Sequence, residues 1–68
     1  MTNEQKALMD KQIQVWSDIE HNQYAIFNTS ESPMARDRAM NELGAYSGRL
    51  AGAKVMYGLM GLDWPLED

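Results

Sequence analysis

The sequence predicts an all-α protein: an antiparallel two-helix hairpin, about residues 3–27 and 33–60, that assembles as a homo-oligomeric helical bundle. Three observations predict it. Ala39, Leu43, Tyr46, Leu50, Ala53, Tyr57 and Met60 recur at alternating spacings of four and three, the pattern of an apolar seam against a partner helix. A single polar break, Asn28-Thr29-Ser30-Glu31-Ser32-Pro33, divides the chain, and a connection that short makes the helices antiparallel neighbours. The chain has only 68 residues. A chain of that size buries only about 60% of its unfolded surface and ordinarily needs a further staple.

Helix one is expected to open at Thr2, where Thr2 and Gln5 form a capping box and Glu4 suits the positive end of the helix dipole. Its apolar residues fall into two stripes. Leu8, Val15, Ile19 and Ile26 form one, and Met9, Ile13, Trp16, Tyr24 and Phe27 the other, with Gln12 and Gln23 between them. That is wider than one helix covers, so one stripe is expected to meet helix two and the other a second subunit. Ser32 as N-cap and Pro33 at the first helical position start helix two. Gly61 is placed to cap its end in the left-handed conformation, with Leu62 folding back on the last turn. The whole chain, 1–68, reads as one domain with a short tail, 61–68, in which Trp64 and Leu66 are apolar anchors expected to cover the end of the chain's own bundle.

Composition narrows the staple and the function together. There is no cysteine and only one histidine, which removes disulfides and the usual structural zinc sites. Self-association is the remaining staple, and 44% apolar residues supply surface for it. The beginning of the chain lacks the apolar segment of a secretion signal, which points to the cytoplasm. The most apolar stretch, Leu50 to Leu62, is interrupted by Lys54 and is shorter than the roughly 20 residues a bilayer requires. A net charge of −4 argues against general nucleic-acid binding, whose affinity comes mostly from neutralised phosphates. The Asn28-Thr29-Ser30 sequon reads as a loop in an unexported chain.

Three features carry candidate chemistry. Gly44, Gly48 and Gly52 lie four apart, each at about 1 kcal/mol of helix propensity relative to alanine, which suggests close approach by a helix first and by a ligand second. With Trp16, Phe27, Leu43, Leu50 and Trp64 they make the expected helix–helix or oligomer interface. Arg36, Arg49 and Lys54, with Tyr46 and Tyr57 on the same helix, have the charges and rings to hold a small anion such as a nucleotide. The plainer reading of these five is solvated flanks and amphipathic core. Asp18 and His21 lie three apart but opposite the apolar face, so no metal site is expected. The methionines beyond Met1 read as core filler.

With no nucleophile and base to pair, and no cofactor motif, the chain reads as a non-enzyme. The first expectation is a small binding or inhibitory accessory protein, of the type found in phages and mobile elements, acting by stoichiometric contact with a protein partner. A second is an oligomer that sequesters a small anionic ligand such as a signalling nucleotide. A third is a purely structural assembly bundle.

Overall fold

A computed structural model describes residues 2–66; Met1, Glu67 and Asp68 lie outside the described residues. Two helices account for nearly all of it: α1, Asn3–Thr29, and α2, Pro33–Met60. They pack along their full length as an antiparallel hairpin measuring 45 × 18 × 17 Å.

Each end is set by local chemistry that the sequence announces. The Thr2 hydroxyl accepts from the Gln5 amide at 3.1 Å while the Gln5 side chain accepts from the Thr2 amide at 2.9 Å, closing the capping box. Helix α1 continues two residues beyond the expected Phe27, because the Thr29 hydroxyl donates to the Ala25 carbonyl at 2.6 Å and Ser30 N–H still reaches the Ile26 carbonyl. Ser32 caps α2 by accepting from the Ala35 amide, and Pro33 follows at the first helical position. Gly61 adopts φ 69°. Its amide meets the Gly58 carbonyl at 3.2 Å and the Leu62 amide meets the Tyr57 carbonyl at 2.9 Å, the paired bonds of a Schellman cap. Residues 63–66 then leave the helix and turn back along the hairpin.

The alternating seam of α2 is what faces α1. Ala39 and Tyr57 are buried, and Leu43, Tyr46, Leu50 and Ala53 are half-buried between them. Met60, the expected last member, is exposed and lies at the edge of the contact, in the wall of a groove with Met9 and Gln12. On α1 the stripe containing Met9, Ile13, Trp16 and Phe27 meets α2, and the stripe containing Leu8 and Val15 is left outside. Tyr24 departs from expectation: it is exposed, and Gln23 occupies the seam side instead.

The core is thin. Ile13, Ala39 and Tyr57 are its buried apolar residues among those described, with Ser17 as the buried polar one. The methionines correct the expectation of core filler. Met34, Met40, Met56 and Met60 are exposed and Met9 is half-buried, because a two-helix contact has one seam and these residues lie on its flanks.

Candidate functional site

Two acidic residues inside the α1 seam, Asp10 and Glu20, find partners on α2. Tyr57, 1% exposed, donates its hydroxyl to Asp10 Oδ1 at 2.6 Å, and Lys6 Nζ donates to Asp10 Oδ2 at 2.8 Å. The Lys6 ammonium also lies 5.9 Å from the Tyr57 ring centre, and Trp64 meets the same ring edge-on at 5.3 Å and 85°. Hydrogen bonding from Lys6 first, and from Tyr57 second, holds the Asp10 carboxyl below its ordinary range. Burial first, and the bond to Asp10 second, push the Tyr57 hydroxyl up to about 12. Further along, Ser47 donates to Glu20 at 2.6 Å. These groups tie the two helices together; they form no nucleophile–base pair.

Two depressions flank the seam. On one edge a groove of about 280 Å³ is lined by Met9, Gln12, Ile13, Trp16, Ala53, Met56, Tyr57 and Met60, and its exposed surface is apolar. Three flexible thioethers and an indole make this the kind of surface that adapts to an apolar side chain. Val55 and Leu59, both exposed, extend the apolar character of α2 at the same end of the hairpin. On the opposite edge the tail covers a mixed cleft of about 410 Å³ between Trp64, Pro65 and Leu66 and the side chains of Gln14, Ser17, Glu20, His21 and Leu50. The expected docking of the tail on its own hairpin is what Trp64 shows.

The proposed anion-binding residues are not gathered within one chain. Arg36 lies at the loop end, over the Phe27 ring at 5.2 Å. Lys54 is eighteen residues further on, about 27 Å along the helix. Arg49 stacks over Tyr46 at 5.0 Å, and five residues separate it from Lys54, which places them about 140° apart around α2. Tyr57 is a correction: it is not a stacking platform, because its ring is enclosed by α1 and the tail and its hydroxyl is spent on Asp10. Arg49 and Tyr46 form a local pair.

The interface residues divide in two. Trp16, Phe27, Leu43 and Leu50 are half-buried along the contact between α1 and α2, and Trp64 is half-buried on the tail. Gly44, Gly48 and Gly52 are exposed on α2, and a methyl group placed on any of them meets no atom within 4 Å. The close approach that three glycines suggest is therefore not made by α1. Among the described residues no cluster of three or more histidine, cysteine or acidic side chains forms a metal site, and no helix is long and apolar enough to cross a membrane.

Lys6, Asp10, Glu20 and Ser47 escaped sequence reasoning. Their signal was register: Lys6, Asp10, Ile13, Ser17 and Glu20 continue one face of α1 at spacings of four and three, through polar residues that an apolar scan passes over. Comparison with protein-family models, with curated proteins and with solved structures gave no match.

Proposed function

We propose that this chain is a non-enzymatic binding protein of accessory or inhibitory type, which self-associates and acts by stoichiometric contact with a protein partner. The observation that carries the reading is the groove between α1 and α2, whose exposed surface is apolar and comes from its methionines and Trp16, with Ile13 buried at its floor and Gln12 the polar side chain in its wall. Such a surface suits one face of an amphipathic helix, recognised through apolar anchors at helical spacing. The dispersal of Arg36, Arg49 and Lys54 along and around α2 weighs the same way, since these three do not converge on one anion within a single chain.

Native mass spectrometry of the protein isolated under gentle conditions tests this, run beside Met56→Glu, a change at a half-exposed groove position. The expected result is a homo-oligomer carrying a second polypeptide in fixed ratio, lost in the variant. An oligomer carrying mass of nucleotide size, lost in Arg49→Ala, would overturn protein binding in favour of sequestration, for which the Arg49–Tyr46 stack would supply charge and ring. An oligomer with neither would leave assembly alone as the function.

A further inference from the structure

The outward flank of α1 has a regularity of its own. Leu8, Gln12, Val15, Ile19, Asn22 and Ile26 alternate at spacings of four and three, and Gln5 and Thr29 extend the series at either end. This is a second heptad seam, rotated away from the one that α2 fills: Leu8 is 70% and Val15 42% exposed, Gln12 and Asn22 are exposed, and Ile19 and Ile26 are half-buried. It runs the length of α1 without a charge, although α1 carries Glu4, Lys6, Asp10, Lys11, Asp18 and Glu20. A solvated helix face would hold some of them.

The series is also palindromic in polarity. Any sequence laid parallel against itself matches, but an antiparallel match is a property of the particular residues. Centred level with Ser17, this one sets Leu8 against Ile26, Gln12 against Asn22 and Val15 against Ile19 of the second chain, and brings Gln5 to Thr29 at the ends. Every apolar residue meets an apolar one and every polar residue meets a polar one, with the amides of Gln12 and Asn22 paired inside the seam, where a polar layer fixes register.

Area points the same way. The chain exposes 5106 Å², against about 4,300 Å² for a compact monomer of its 7.7 kDa mass. The surplus of about 800 Å² is what one partner of a stable, standard-sized interface buries. We propose that the Leu8–Ile26 flank of α1 is the surface on which a second copy of this chain docks, antiparallel, α1 against α1, with a two-fold axis at the level of Ser17. This rests on the self-association reading above and assigns it a face, a register and a symmetry in which the same patch serves both subunits.

The absence of native cysteine makes cross-linking selective. Leu8→Cys with Ile26→Cys should give a disulfide-linked dimer on mild oxidation, and Leu8→Cys alone should give none, because the two introduced thiols would lie about 27 Å apart along the seam. A linked dimer from Leu8→Cys alone would overturn the antiparallel register. Val15→Glu, exposed within a single hairpin, should keep full helicity by circular dichroism yet weaken association about a hundredfold or more, by burying a carboxylate beside the axis. Sedimentation that finds the native chain monomeric at micromolar concentration would refute self-association itself. A native oligomer left intact by Val15→Glu would refute only this face.

Discussion

Replacing Ile13 by alanine tests the hairpin at its most enclosed apolar position outside Tyr57 and Ala39. Ile13 is 2% exposed and packs beneath Ala53, Met56 and Tyr57 at the floor of the groove. The change removes three carbons, worth about 2.4 kcal/mol at about 0.8 kcal/mol for each buried methylene. A cavity term is ordinarily added, and buried isoleucine-to-alanine changes span about 2–5 kcal/mol. Here the vacated space opens into a groove of about 280 Å³ rather than a sealed interior, so flexible Met9 and Met56 or water refill it and the loss falls near the lower end, about 2.5 kcal/mol. For a chain of 68 residues, whose whole stability is on the order of 3–10 kcal/mol, that is a large fraction. The assay is urea unfolding followed by helical circular dichroism, at several protein concentrations so that self-association is separated from folding. With a urea slope near 1 kcal/mol/M, the midpoint should fall by about 2–2.5 M with little change in slope. Leu8→Ala, at an exposed position of the same helix, should shift it by less than about 0.5 kcal/mol in the dissociated chain. An Ile13→Ala loss below about 1 kcal/mol would refute the seam as drawn, for it would mean that Ile13 is not what α2 covers.

Two further outcomes follow from the same geometry. Because the Tyr57 hydroxyl is held at about 12, it stays protonated in the folded chain after an unfolded tyrosine has ionised, so its contribution is complete below about pH 10 and is lost as pH rises towards 12. Asp10 acts in the opposite sense, contributing above its ordinary value of 3.8 and losing that contribution as pH falls through its lowered one. Thermal melts of Tyr57→Phe should lie below the native protein at neutral pH and converge with it by about pH 12; a gap that persists unchanged would refute the assigned bond. Gly48→Ala fills open space on an exposed helix face and should raise stability by about 0.5–1 kcal/mol, read as a higher melting temperature. A lower one, or a lost oligomer, would show that another chain approaches α2 closely there.

What was legible in the sequence is what short-range chemistry decides. The Thr2–Gln5 box, the Ser32-Pro33 start and the Gly61 cap each depend on residues within five positions of one another, and each formed as read. The α2 seam was legible because its members are apolar at regular spacing. The α1 seam was only half legible, since it runs through the buried Ser17 and through Asp10 and Glu20, and the last two make sense in a helix contact only once Tyr57 and Ser47 are known to face them. The candidate ligand residues were read from one helix as a set, and helical rotation sends Arg49 and Lys54 to different flanks. Tyr57 failed as a ligand residue for a related reason: its spacing marked it for the seam as much as for a stacking role, and burial chose the seam.

A helical hairpin is joined by its own backbone at one end and free to fray at the other. In this chain the free end is fastened: Lys6 and Asp10 from the beginning of α1, Tyr57 from the end of α2 and Trp64 from beyond the Gly61 cap converge on one ring. The fastening turns an open fork into a closed circuit, in which neither helix can peel away without surrendering the aromatic contact, the charge-assisted bonds and the adjoining seam together. Amide exchange near Asp10 and Tyr57 should accordingly be as slow as at Ala39, and the two helices should melt as one unit rather than unzip from their tips.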